Sequence, residues 1–142
     1  LIPTDALSRF YTCHYPTSNR LETMNIEEVR ETALQLPHAT ERSPFGLDTL
    51  AIEIGGKMFC LFDLSAGGWD FYNLKVDPAY AEELRERYAS IRPGYHMNKR
   101  HWISVDFEGD VPDSLHRELI AHAYRQTAKG LTLKIRRELS LI

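Results

Sequence analysis

Residues 50–64 leave the chain little choice of local structure. Leu50-Ala51-Ile52-Glu53-Ile54 alternates at the two-residue period of a half-buried strand, and Gly55-Gly56 supplies the pair of positive-φ residues that a two-residue hairpin turn needs. Lys57 to Leu64 then continues as a second strand. After a further break at Ala66-Gly67-Gly68, Phe71 to Val76 reads as a third strand, with Tyr72, Leu74 and Val76 on one side and Asn73 and Lys75 on the other. Three consecutive strands form a meander, so one antiparallel sheet organises the fold.

Helical periodicity flanks the meander. Asn25 followed three positions later by Glu28 makes a capping box, and Ile26, Val29, Ala33 and Leu34 recur at helical spacing, which predicts a helix over 26–36 that Pro37 stops. Asp77-Pro78 places an N-cap before a proline at the first helical position, with Ala81, Leu84 and Tyr88 as the inner stripe of a second helix. Arg92-Pro93-Gly94 turns the chain, a short strand is expected near 94–96, and Trp102 to Phe107 alternates again. Asp110-Val111-Pro112-Asp113 caps a third helix carrying Leu115, Leu119, Ile120, Ala123 and Tyr124, which Gly130 ends, and the tail after Leu131 reads as a short basic helix. The resulting order, αβββαββα, predicts an α+β protein of two layers: a mostly antiparallel five-stranded sheet with helices packed mainly on one face. Strand parity gives the other face Glu53, Phe59, Leu61, Asn73, Lys75, Trp102 and Ser104, a mixture suited either to a binding platform or to lying under the tail.

At 142 residues the chain is the size of one ordinary domain, expected over 24–142. Residues 1–23 carry neither a sustained period nor a signal-like apolar run and are expected to be a leader or extension outside that domain, with Met24 as the expected natural start. No stretch approaches the roughly 18 apolar residues of a membrane span. Cys60 sits in the apolar run Met58-Phe59-Cys60-Leu61-Phe62, which suits a reduced core thiol and points to the cytoplasm. Net charge is −3, which argues against indiscriminate binding to a polyanion. The distribution matters more: positions 92–102 and 125–137 hold Arg92, Lys99, Arg100, Arg125, Lys129, Lys134, Arg136 and Arg137 and not one acid. These two clusters meet if the final helix folds back over the sheet.

Chemistry is best sought in Arg92-Pro93-Gly94-Tyr95-His96-Met97-Asn98-Lys99-Arg100-His101-Trp102, which combines cations, imidazoles and aromatics without a carboxylate. Arg and Lys hold phosphate, while Tyr and Trp stack on bases, so the mixture suits recognition rather than bond-breaking. A plainer alternative has Arg92 and the histidines satisfying loop carbonyls, Tyr95 and Trp102 closing the core rim, and Lys99 and Arg100 forming a solvated turn. No metal site is expected, because His96 and His101 lie five apart and His116 and His122 six apart, whereas helical ligand pairs need about three or four. No nucleophile elbow, phosphate-cradling glycine loop or paired catalytic carboxylates occur, so neither an enzyme nor a cofactor is expected.

From about Met24 onward the chain resembles the MmcQ/YjbR-like family, small bacterial proteins that carry a DNA-binding label. The resemblance lies in Pro44-Phe45-Gly46, Gly55-Gly56-Lys57-Met58-Phe59, Asn73-Leu74-Lys75-Val76-Asp77-Pro78 and, above all, residues 92–102. It implies the two-layer αβββαββα fold also found in type III secretion chaperones. The tail departs from the family pattern, reading Leu131-Thr132-Leu133-Lys134 where relatives have Leu-Pro-Lys-Lys. Two functions are expected from residues and resemblance together. In the first, DNA is held by Lys75, Arg92, His96, Lys99, Arg100, Lys129, Lys134, Arg136 and Arg137, with Tyr95 and Trp102 stacking. In the second, a monomeric or weakly dimeric chaperone-like module takes a protein partner on the part-apolar open sheet face.

Overall fold

The computed structural model describes residues 24–43, 48–65 and 69–141. The expected leader over 1–23, the Pro44-Phe45-Gly46 stretch and the break at Ala66-Gly67-Gly68 lie outside the described residues.

Six strands form a single sheet in the order β1-β2-β3-β4-β6-β5, every pairing antiparallel, so the expected α+β class holds with one strand more than anticipated. The added strand is β1 (Thr40–Arg42), a short polar edge that pairs with β2 (Thr49–Ile54). Its three residues are exposed and charged or polar, which protects an open sheet edge and removes the alternation that marks a strand in sequence. Between β2 and β3 (Lys57–Asp63), Gly55 and Gly56 adopt φ of 61° and 86°, as the hairpin turn requires. β4 (Phe71–Lys75) pairs with β3 and with β6 (Trp102–Asp106). The short strand expected near 94–96 falls instead at β5 (Ile91–Pro93), on the far edge beyond β6. Proline is tolerated there because an edge strand leaves one row of N–H groups unpaired.

The first helix, α1 (Ile26–Leu34), begins with the anticipated capping box: Glu28 N–H donates to Asn25 Oδ1 at 2.8 Å and Asn25 N–H to Glu28 Oε1 at 3.1 Å. It closes before residue 36, ahead of the pre-proline position that disfavours helix, and Tyr124 Oη donates to the Pro37 carbonyl at 2.7 Å to hold the exit turn. Asp77 caps α2 (Pro78–Arg87) by accepting from the N–H groups of Ala79 and Tyr80. The long helix α3 (Asp113–Lys129) starts after Pro112 without a side-chain cap. Asp110, expected to help cap it, turns the other way and accepts from Ala89 and Ser90 N–H, bracing the turn between α2 and β5. The Ser90 side chain, and after it those backbone N–H groups, hold its carboxyl below the usual aspartate range. A short final helix, α4 (Leu133–Glu138), is capped by Thr132.

The helical layer buries Val29 and Ala33 of α1, and His116, Leu119, Ile120, Ala123, Tyr124 and Thr127 of α3, with Ile52, Phe62, Tyr72, Leu74, Ile103 and Val105 of the sheet. Parity placed Phe59 on the opposite face, and the structure corrects this. The register shifts by one residue between Ile52 and Glu53, so Phe59 and Cys60 both enter the core, and the Phe59 ring meets Tyr124 edge-on at 5.6 Å. Burial pushes the Cys60 thiol up, so it is an inert core group. Deep in the same core Tyr72 Oη and His116 Nδ1 lie 2.6 Å apart, and burial lowers His116 from 6.5 to about 4, keeping the imidazole neutral.

Candidate nucleic-acid interface

The β5–β6 loop is built to be rigid. Trp102 O accepts from Gly94 N–H and Asn98 O from Trp102 N–H, closing the loop at its neck. Gly94 is required there, because a Cβ would sit 2.6 Å from Trp102 Cβ and 3.0 Å from its carbonyl. Within the loop Asn98 Oδ1 accepts from Arg100 N–H at 2.9 Å. The loop folds over the non-helical face, where a buried polar pair pins it: Tyr95 N–H donates to Ser104 Oγ at 3.0 Å and Asn73 Nδ2 donates to Tyr95 O at 3.0 Å. Ser104 Oγ in turn donates to Asn73 Oδ1 at 2.5 Å, completing a closed cycle.

Several expected site residues serve this architecture. The guanidinium of Arg92 is paired with Asp106 at 2.5 Å and lies 4.9 Å from the Phe71 ring centroid, so its charge is already answered. Lys99 Nζ donates to the Gly94 carbonyl, bracing the loop. Trp102 was expected to stack on a ligand, yet it is 7% exposed beneath Gly94. By contrast Tyr95 stays 45% exposed, with its ring edge-on to Phe71 at 5.7 Å and to Trp69 at 5.8 Å. His96 is exposed, in the left-handed region at φ 59°, with its ring centroid 4.0 Å from that of Tyr95. The apolar open face expected to receive a protein partner is closed as well: Phe59 belongs to the core and Leu61 is 3% exposed.

What strand parity alone did not reveal is a polarity of charge along the strands. β3 runs from Lys57 to Asp63, β4 follows Asp70 and ends on Lys75, and β6 follows the Lys99-Arg100 loop and ends on Asp106. Because neighbouring strands alternate in direction, the registers Thr49↔Asp63, Phe71↔Asp106 and Lys75↔Trp102 bring all of the acidic ends to one side and all of the basic ends to the other. The acidic end collects Asp48, Asp63, Asp70, Asp106, Glu108, Asp110 and Asp113. At the basic end lie Lys57 in the β2–β3 hairpin, Lys75, Arg100 and the loop, and the C-terminus of α3 with Lys129. The tail joins them there: Leu131 and Ile135 approach Gly55 so closely that a Cβ on that glycine would lie 2.8 Å from Leu131 Cδ1 and 3.1 Å from Ile135 Cγ2. That contact brings Lys134, Arg136 and Arg137 of α4 to the same end.

The tail thus reaches the motif's end of the sheet from the helical layer and does not fold across the open face. Strands about 4.8 Å apart put the β2–β3 turn on the order of 15 Å from the β5–β6 loop, near enough for one extended ligand to span both. Glu138 ends α4 itself and offsets one of its cations; of the other acids near these segments, Asp77 caps α2, while Glu53 is paired with Arg42 at 2.6 Å and almost wholly buried. Among the described residues no group of three or more His, Cys, Asp or Glu converges as a metal site would require, and no helix is long and apolar enough to cross a membrane.

Fold and site together define a small two-layer α+β protein, with one antiparallel sheet under a helical layer and charge polarised along its strands. The chain belongs to the YjbR family, whose model matches residues 34–126. It is 40% identical to YbdF of Escherichia coli O157:H7 over 105 residues, which is 74% of this chain and 85% of that protein. YyaQ of Bacillus subtilis is 39% identical over 61 residues, covering 43% of this chain and 51% of its own length. The crystal structure of a Deinococcus radiodurans protein superposes with a TM-score of 0.75 at 36% identity, over 84% of this chain and 91% of that one. A Pseudomonas syringae protein gives 0.62 at 26% identity, over 73% and 99% respectively.

Proposed function

We propose that the chain binds DNA by the basic end of its sheet, with Lys57, Lys75, Arg100, Lys129 and Lys134 holding phosphates. One observation carries this reading: alternating strand direction gathers cations from four separate segments at one end and sends the carboxylates that end β3, precede β4 and end β6 to the other. A protein of net charge −3 attracts a polyanion only if its charges are separated in this way, and the acidic end then orients the approach by repulsion. Arg92 and Lys99 contribute by holding the loop in shape, since their charged groups already have protein partners. With four or five phosphate contacts the logarithm of the binding constant falls with the logarithm of salt at a slope of about −4.

A salt titration of fluorescence anisotropy, with labelled DNA and either the wild type or the chain carrying Lys75→Ala, Arg100→Ala and Lys134→Ala, tests the proposal. The expected result is binding at low salt, with the slope shallower by about 3 in the variant. Absence of binding at low salt, or an unchanged slope in a variant that melts like the wild type, refutes it.

A further inference from the structure

We infer that Tyr95 is a stacking platform for an unpaired base, so that the basic end takes single-stranded DNA in preference to duplex; the inference rests on the DNA reading above. Among the described residues Tyr95 is an uncommon aromatic, half out in solvent yet fixed at every other point. Both of its backbone polar groups are bonded to the buried Asn73–Ser104 pair, and its ring is wedged edge-on against Phe71 and Trp69. A ring already held in place offers its remaining face to a ligand without a further ordering cost. His96 stands beside it as a second exposed ring, held there by a left-handed backbone conformation.

Cations for the phosphates lie in the same loop and at the strand end beside it. Arg100 lies in the same closed loop and Lys75 at the adjoining strand end, paired with Trp102 across β4 and β6. Two carboxylates flank the ring cluster: Asp106, opposite Phe71 across β4 and β6, is neutralised by Arg92, and Asp70 lies between Trp69 and Phe71 in the chain. Duplex DNA keeps its bases stacked on one another, so it can reach the cations but not the Tyr95 face, whereas a single strand reaches both.

The test compares a short oligodeoxythymidylate with a duplex of equal length, at one fixed salt concentration, by anisotropy. Single-strand binding should be the tighter, and Tyr95→Ala should weaken it by about 5- to 150-fold while leaving duplex binding unchanged; Tyr95→Phe should restore it. If Tyr95→Ala melts lower than wild type, Tyr95→Leu, which fills the space without a π face, decides. Equal affinity for both DNAs together with a silent Tyr95→Leu overturns the stacking role alone. Failure of the wild type to bind either DNA at low salt removes the basic-end reading itself.

Discussion

Replacing Asn73 by alanine should free the β5–β6 loop from the sheet. The Asn73 side chain is wholly buried, donates to the Tyr95 carbonyl and accepts from the Ser104 hydroxyl. Alanine in its place deprives both of those groups of a partner, and each buried group so stripped costs about 1–3 kcal/mol. The Tyr95 carbonyl lies in a partly buried region and can turn to water, so the loss should be about 2–4 kcal/mol rather than the full sum. Ser104→Ala strips the same cycle from the other side by removing the acceptor of Tyr95 N–H. The double variant should therefore cost less than the sum of the single ones, with a coupling energy of about 0.5–3 kcal/mol. Urea unfolding followed by tryptophan fluorescence measures all of these, and Trp102, buried beneath Gly94, reports on the loop's neck. An Asn73→Ala cost below about 1 kcal/mol, or strict additivity in the double variant, would refute the idea that this cycle anchors the loop.

Stability should fall on acidification through the buried His116. Its folded value of about 4 lies below the ordinary 6.5, so the unfolded chain takes up the proton first; the contribution is complete above pH 6.5 and is lost as pH falls toward 4, a change of about 3 kcal/mol. Urea midpoints across that range should flatten in a Tyr72→Phe, His116→Leu chain, which removes both partners of the buried bond, and an unchanged pH slope would contradict the assignment. In the hairpin turn, Gly55→Ala and Gly56→Ala both suffer the left-handed strain of about 1–2 kcal/mol, but only Gly55→Ala also displaces Leu131, so its melting temperature should drop further. Equal drops would show that the tail does not pack on the turn.

How much of this was legible depended on whether a residue's role is local. The hairpin, the Asn25 and Asp77 caps and the stripes of α2 and α3 follow from nearest neighbours in sequence, and each appears in the structure. β1 was hidden because an edge strand of Thr-Glu-Arg has no apolar side to alternate. The face of Phe59 was misassigned because a bulge leaves no mark on a period-two pattern. For the candidate site, the loop's lack of acids was visible, but which of its cations are spoken for was not, since Asp106 lies fourteen positions from Arg92. Tyr95's neighbours Trp69 and Phe71 come from the start of β4 and the segment before it and carry no signal near the motif. The charge polarity could have been read directly: Lys57 to Asp63, Asp70 to Lys75 and Arg100 to Asp106 each bracket one strand, and an antiparallel order sorts their ends.

The central claim is that one end of the sheet meets DNA and the other does not. Backbone amide shifts recorded by NMR during titration with DNA test this residue by residue. Perturbations confined to 55–58, 75–77, 95–101 and 129–137, and disappearing at high salt, are the predicted result. Shifts concentrated around Asp48, Asp63 and Glu108, or spread evenly over both ends, would contradict it.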